Sequence, residues 1–419
     1  MSETEKKTAI LVGIAKSQRD MAECEISIDE LERLADTAGA KAYAKVIQIK
    51  ESYDPRTLIG KGKVLEVKEL CKESEAELVI FDVELSPMQI RNLEADIGED
   101  VTVIDRSMLI LDIFALHATS GEGKLQVELA QLKYTAPRLV GRGLELSRQG
   151  GGIGSRGPGE TKLETDRRHL HAKIASLEAR LEELDATRMT MREKRDRSGI
   201  TKIAIVGYTN AGKSTLLNAL TGADVLSEDK LFATLDATTR RTALPSGIEV
   251  LFTDTVGFIR KLPHHFVKAF KSTLDEVKYA DILLIVSDIA DSEVREHIKV
   301  TERIIEDLSA SDKPRLYVYN KADTLPDLSY ADVDTSENSV IISAKRMQGV
   351  DKLLALIENV IKASKKQTKL IIPYTEQSKL NSLFNEYEVI SSEYLDTGVL
   401  VLCELDAKGL GYYKNYIVD

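Results

Sequence analysis

Gly207, Tyr208, Thr209, Asn210, Ala211, Gly212, Lys213 and Ser214 form a glycine, four residues and then Gly-Lys-Ser. The pattern follows an apolar, strand-like run at 202–206 and precedes a helix-like run at 215–220, the context in which it cradles phosphate. Small residues let successive backbone N–H groups converge on one anion, and the following helix adds the positive end of its dipole. Lys213 is placed to reach the β- and γ-phosphates of a nucleotide and Ser214 to ligate Mg²⁺. Thr215, at the head of the helix, joins the same set. A shorter glycine-lysine stretch, Gly60-Lys-Gly-Lys63, has no preceding strand and reads as a turn before a helix.

Two further motifs fall at the ends of apolar runs. Asp254-Thr255-Val256-Gly257 lies 47 positions after Gly207. Asp254 is expected to hold Mg²⁺ through water, and the Gly257 N–H to sense a γ-phosphate. Asn320-Lys321-Ala322-Asp323 follows the run at 315–319 and is the element that selects the base. A carboxylate at Asp323 accepts two hydrogen bonds from guanine N1–H and its 2-amino group; adenine lacks that pair, and a buried carboxylate left unpaired is costly. Ser343-Ala344-Lys345 supplies a backbone N–H for the guanine oxygen. The expectation is a GTP/GDP site with Mg²⁺ as cofactor.

Between these motifs, Leu231-Phe-Ala-Thr-Leu-Asp-Ala-Thr-Thr239 offers Thr234, Thr238 and Thr239, one of which should complete the metal shell when a γ-phosphate is present. Such a segment is ordered by that contact and released on hydrolysis. The residue after Gly257 is Phe258, where Ras-like proteins carry a water-orienting glutamine. Phenylalanine cannot hydrogen-bond to water, so slow intrinsic hydrolysis that waits for a partner or a rearranged site is expected. Arg240 and Arg241 could serve as an arginine finger but read better as solvated charges on a strand edge.

These residues must be positioned by a fold. The chain divides into an N-terminal α/β domain (1–118), a long antiparallel helical hairpin with a Gly-rich loop (119–198), a Ras-like P-loop G domain (199–366) and a small α+β C-terminal domain (367–419). In the first, strand-like runs at 9–12, 44–49, 78–81 and 101–104 alternate with helical patterns at 29–38 and 63–72, which predicts a parallel sheet. In the second, Leu163, Leu170, Ile174, Leu177, Leu181 and Leu184 recur at mostly three- and four-residue steps and predict one long helix against a shorter one at 125–139. The glycine-rich stretch 149–159 between them is longer than a hairpin needs, which marks loops that are functional or disordered. The last domain reads as a helix at 376–386 with strands at 389–390 and 399–402.

Composition bounds the rest. Apolar residues make up 43% and charged residues 30% of the chain, as in globular proteins. No apolar run approaches the roughly 20 residues of a membrane helix, and the polar N-terminus lacks a signal-peptide core, so a cytoplasmic protein without membrane insertion is expected. Cys24, Cys71 and Cys403 are far apart and are expected to be free thiols. The net charge of −11 argues against global attraction to nucleic acid while leaving room for a local basic surface.

The sequence resembles the HflX family of translation-associated GTPases. Outside the G domain the likeness is carried by Asp54-Pro-Arg-Thr-Leu-Ile-Gly-Lys-Gly-Lys63, by Phe81-Asp-Val-Glu-Leu-Ser-Pro-Met-Gln-Ile-Arg-Asn-Leu-Glu94, by Asp105-Arg-Ser-Met-Leu-Ile-Leu-Asp-Ile-Phe-Ala115 and by the Gly-rich loop. Phe232, Ala233, Thr234, Leu235 and Asp236 are similar to the family's switch segment, which selects Thr234 as the Mg²⁺ ligand; the hydrophobic Phe258 is also a family habit. Ala237 stands where relatives often have proline. The resemblance implies binding to the 50S ribosomal subunit and its RNA, the splitting of stalled or idle ribosomes, and a hairpin that reaches the peptidyl-transferase region. Residues 133–168 suit that role: eight basic residues (Lys133, Arg138, Arg142, Arg148, Arg156, Lys162, Arg167 and Arg168) face four acidic ones. A monomer is expected. The alternative is a regulatory switch that recruits a protein effector to the hairpin. An ATP-driven RNA-remodelling activity of the N-terminal domain ranks last, since nothing there resembles a P-loop.

Overall fold

The computed structural model describes residues 6–139, 158–196, 200–222, 231–232, 237–261, 271–326, 333, 335–405 and 407–418. The chain opens with β1 (Lys7–Ala15), α1 (Met21–Thr37), β2 (Ala40–Ile49), α2 (Lys61–Ser74), β3 (Leu78–Phe81), α3 (Pro87–Ile97), β4 (Thr102–Asp105) and α4 (Arg106–His117). The four strands form an all-parallel sheet in the order β2-β1-β3-β4, the architecture expected from the alternating runs. Its two faces are covered separately. Leu31, Leu34, Ile110 and Phe114 of α1 and α4 pack on one side. Val67, Cys71, Leu93 and Ile97 of α2 and α3 pack on the other. Burial on both faces is what makes β1 a continuous apolar run rather than an alternating one. Helix α3 has a full capping box: Ser86 accepts from Gln89 N, the Gln89 side chain accepts from Ser86 N, and Pro87 fills the first turn. Gly60 is the N-cap of α2 and Lys61 to Lys63 form its first turn, so the short glycine-lysine stretch, expected as a turn before a helix, is the helix start itself.

Helices α5 (Gly121–Leu139) and α6 (Pro158–Asp196) pack against each other. The ion pairs Lys133–Glu178 and Arg188–Glu122 fix an antiparallel register. Leu129 and Leu177 are buried in the seam, but Leu184 is 38% exposed. Past Leu181 the seam passes to half-buried Asp185 and Arg188, and Arg188 pairs with Glu122 instead of extending the leucine stripe. The bulk of the glycine-rich loop lies outside the described residues.

The G domain holds a six-stranded sheet in the order β10-β9-β8-β5-β7-β6, from β5 (Thr201–Gly207), β6 (Thr238–Ala243), β7 (Glu249–Asp254), β8 (Ile282–Asp288), β9 (Arg315–Asn320) and β10 (Ser339–Ile341). All pairs are parallel except β6 on β7. Its helices are α7 (Lys213–Thr221), α8 (Lys271–Tyr279), α9 (Val294–Asp307) and α10 (Val350–Ser364). The C-terminal unit is an antiparallel sheet, β12-β13-β11-β14, built from β11 (Lys366–Ile372), β12 (Glu388–Leu395), β13 (Gly398–Leu405) and β14 (Ile417–Val418) with α11 (Gln377–Glu386) and α12 (Ala407–Tyr412). The three cysteines are buried and unpaired in disulfides. Among the described residues no helix is long and apolar enough to cross a membrane.

One apolar cluster joins the N-terminal and G domains: Leu34, Ile110 and Phe114 share it with Tyr208, Phe232 and Phe258. The hairpin gives a direct test of its seam. Leu177→Ala should cost about 2–4 kcal/mol and Leu184→Ala under about 0.5, read as hydrogen-exchange protection in α5 and α6; equal losses would contradict the observed seam.

Candidate nucleotide site

Strand β5 lies between β8 and β7 and delivers the phosphate loop at its end. Gly207 has φ +149°, and a Cβ there would stand 2.1 Å from the Val286 carbonyl oxygen of β8. Gly212, at φ +89°, would put a Cβ 2.3 Å from Asn320 Nδ2. Both positions therefore need glycine for conformation and for space. Asn210 adopts the left-handed region, which asparagine tolerates. Helix α7 then starts at Lys213, whose buried ammonium donates to the Tyr208 carbonyl at 2.9 Å. Burial draws that ammonium down to about 8, outweighing the attraction of Asp254. The Thr209 hydroxyl is buried and has no hydrogen-bond partner among the described residues. A loop with left-handed turns at Asn210 and Gly212, a helix start and a lysine whose hydrogen bond goes to a backbone carbonyl make a site fit for phosphate.

The two metal-ligand candidates on described residues touch. Ser214 Oγ donates to Asp254 Oδ2 at 2.6 Å, and Asp254 is fully buried at the end of β7. Thr255 is also buried, its hydroxyl donating to the Ile205 carbonyl at 2.8 Å. Val256 is buried in the core and Gly257 packs against Thr209 and Lys213. Phe258 has no exposed surface, its ring lying in the cluster shared by both domains. What Phe258 offers the site is backbone: its N–H donates to Gly207 O at 3.0 Å and its carbonyl accepts from Thr209 N at 2.8 Å.

At the other end of the sheet, Asn320 ties two loops together. Its amide donates to Ala211 O at 3.0 Å and accepts from Ala344 N at 3.0 Å. Lys321, at φ +64°, pairs with Asp288 at 2.8 Å, and the Ala322 N–H donates to Ile342 O. The Ser343 hydroxyl donates to Asp323 Oδ1 at 2.6 Å, which holds that carboxyl below its ordinary range. A carboxylate oxygen accepts more than one hydrogen bond, so Asp323 keeps capacity for a donor pair. Lys345 is exposed beside it.

Ala233, Thr234, Leu235 and Asp236 lie outside the described residues. Phe232 just before them is buried at φ +58°, its ring edge-on to Phe114 of α4 with centroids 4.7 Å apart. The rival threonines are in β6, where the Thr239 and Thr253 hydroxyls share a hydrogen bond at 2.9 Å. Arg240 and Arg241 are exposed on that edge strand, and Arg241 pairs with Glu249.

A family model described as GTP-binding GTPase N-terminal matches residues 25–115. One described as GTP-binding GTPase Middle Region matches 117–195, and one described as 50S ribosome-binding GTPase matches 202–321. The GTPase HflX of Caldanaerobacter subterraneus subsp. tengcongensis is 49% identical, covering 99% of this chain and 95% of its own. That of Escherichia coli (strain K12) is 42% identical, covering 93% and 90%. The chain belongs to the HflX GTPase family. A crystal structure of a GTP-binding protein from the hyperthermophilic archaeon Sulfolobus solfataricus in complex with GDP is 26% identical and covers 84% of this chain and 98% of its own, with a TM-score of 0.44. As an HflX GTPase the chain is an enzyme that hydrolyses GTP.

Motif reasoning did not reach the surroundings of Tyr208. Its hydroxyl is bonded to Glu30 of α1 and accepts from Arg260 N at 2.8 Å, and its ring stacks on His297 at 3.8 Å. Burial and the Glu30 carboxylate push the phenol well above its usual range. The signal available was a bulky aromatic inside a loop that works through small residues.

Two predictions follow from this HflX site. Bound phosphates should restore a full charge to Lys213, so GDP binding should take up a proton increasingly between about pH 7 and 9 and weaken as pH rises through that window. Calorimetry in buffers of different ionisation enthalpy reads the uptake; none at the upper end would mean that Lys213 is charged in the free protein. Asp323→Asn should lower GDP affinity by roughly a hundredfold or more and favour xanthine nucleotides, whose 2-oxo group accepts from an amide. Unchanged base preference would remove Asp323 from base selection.

Proposed function

We propose that this HflX GTPase binds the large (50S) ribosomal subunit and uses GTP to separate stalled or idle ribosomes. The observation that carries the reading is the charge of residues 133–168, eight basic against four acidic, on a chain of net charge −11. Arginines along a glycine-rich stretch can meet phosphates and unpaired bases in an irregular RNA pocket. The 50S ribosome-binding description of the match over 202–321 supports the same partner.

In this reading Gly207 to Thr215 hold the phosphates and Asp323, with Ser343, Ala344 and Lys345, holds guanine. Mg²⁺ would be held by Ser214 and Asp254, with Thr234 as the third candidate; hydroxyl and carboxylate oxygens are the donors this ion prefers. Phe258 supports slow hydrolysis in the free protein, because its ring is in the core and no side chain at that position can orient water. Ribosome contact then supplies what the free site lacks. A single copy of the chain acts in the cytoplasm, where its partner is found.

Deleting residues 150–159 should abolish 50S-stimulated GTP hydrolysis and ribosome splitting while changing GTP affinity by less than about twofold, since no nucleotide contact is removed. Sedimentation with 50S subunits and GTPase assays with and without them provide the measurement. Splitting unaltered by the deletion would sink the reading. Absence of 50S binding in every nucleotide state would favour a protein effector on the hairpin instead.

A further inference from the structure

The phosphate loop and the segment after Asp254 are zipped together. Phe258 N donates to Gly207 O at 3.0 Å and Thr209 N donates to Phe258 O at 2.8 Å, a short parallel bridge. It brings Gly257 onto the loop so closely that an added Cβ would stand 2.9 Å from Thr209 Cα and 3.0 Å from Lys213 Nζ. A γ-phosphate that contacts both the Lys213 ammonium and the Gly257 N–H must lie between them. The zipper holds the Gly257 backbone close against the Lys213 ammonium, so a γ-phosphate placed between them would press on it, whereas GDP has no group to place there.

The chain just beyond the zipper is held by the N-terminal domain. Lys261, at φ +53°, donates to Asp82 Oδ2 at 2.6 Å and to Ser27 Oγ at 2.9 Å. Arg260 N donates to the Tyr208 hydroxyl, which is bonded to Glu30. Asp82 and Glu30 are each about 3% exposed and share Arg106 of α4, whose NH1 donates to Asp82 at 2.7 Å. With Lys261 docked, the two buried carboxylates are in direct contact with two cations, while nearby Arg260 is paired with Glu293. With Lys261 withdrawn, Arg106 is the only cation in direct contact with them among the described residues, and the buried pair loses half of its contacting positive charge, which the interior disfavours strongly. The His297 imidazole is stacked on Tyr208, with burial holding its pKa below the ordinary value, so it adds no second cation at neutral pH.

We propose that Lys261 is a positioning residue that sets the preference between GTP and GDP: docked on Asp82 and Ser27, it holds Gly257 and Phe258 closed over the phosphate loop against the γ-phosphate. The proposal rests on the nucleotide-site reading above and deepens it. GDP is accommodated with the latch shut; GTP requires Lys261 to leave Asp82, so the N-terminal domain is released when the γ-phosphate enters.

Lys261 is half-exposed, so its replacement is suited to test this in the full-length chain. In Lys261→Met, affinity for a non-hydrolysable GTP analogue should rise about tenfold while that for GDP stays within about twofold of the unsubstituted protein; Lys261→Arg, which keeps the cation, should behave as the unsubstituted protein. An unchanged ratio of the two affinities, or an equal shift in both, would overturn the latch. Failure of the unsubstituted protein to bind GDP at all would instead overturn the nucleotide site itself. Should Lys261→Met not fold, Tyr208→Phe probes the same contact from the loop side, keeping the ring on His297 and removing the hydroxyl between Glu30 and Arg260. It should shift the ratio in the same direction, and an unshifted ratio there counts equally against the latch.

Discussion

Two carboxylates withdrawn from water impose a constraint on which the docking of two domains depends. Glu30 and Asp82 come from different elements of the N-terminal domain and are almost wholly buried. Taking such groups out of water costs several kcal/mol each unless cations and hydrogen bonds replace the solvent. Arg106 and the Ser27 hydroxyl come from the same domain, while Lys261 and the Tyr208 hydroxyl come from the G domain. The N-terminal domain is therefore electrostatically incomplete by itself. The apolar cluster spanning both domains has the same consequence: Phe114 and Phe232 bury each other only when the two are docked. Polar and apolar terms act on the same interface, and that interface borders the phosphate loop.

The phosphate loop is fixed from three sides. Close approach of β8 forces glycine at 207, the Asn320 amide forces glycine at 212 and ties the loop to Ala344, and the Phe258 backbone pairs across it. The first two contacts link phosphate and base ends through rigid sheet geometry. The third joins the loop to a segment flanked by another domain's contacts, and Tyr208 within the loop touches Glu30 of that domain directly, so movement between domains reaches the nucleotide at these points more readily than through the base end.

Much of the architecture was legible because buried parallel strands read as continuous apolar runs. The run at 78–81 coincides with β3, and the G-domain motifs fall at strand ends. Helix α3 carries a capping box in Ser86, Pro87 and Gln89, but its 11 residues bury only Leu93 and Ile97, so no apolar period marks it in the sequence. Helix α4 follows β4 with no turn between them, Asp105 ending the strand and capping the helix, so no loop residue marks the change of period. The last leucine of the hairpin stripe misled for a different reason: helical drift carries Leu184 off the seam, and Arg188 takes its place by pairing with Glu122. Residue types told which groups could touch phosphate and guanine. They could not tell that Glu30, Asp82, Arg106 and Lys261 meet, because these residues are scattered over some 230 positions, and a charged residue in a helix or loop reads as a solvated one.

The place of Phe258 draws these points together. A residue after the Asp254 motif that worked through its side chain would have to face the phosphates, leaving its backbone free to follow them. Here the ring is sealed in the interdomain core and the backbone is paired with the phosphate loop. The segment cannot swing as a loose loop would; its hydrogen bonds to the loop and its ring in the core have to change together. A close-packed core resists graded deformation and favours discrete arrangements. Replacing a polar side chain with a buried aromatic thus removes a water-orienting group and in exchange couples the state of the nucleotide loop to whether two domains are docked, which suits the dependence of hydrolysis on a large partner that we propose.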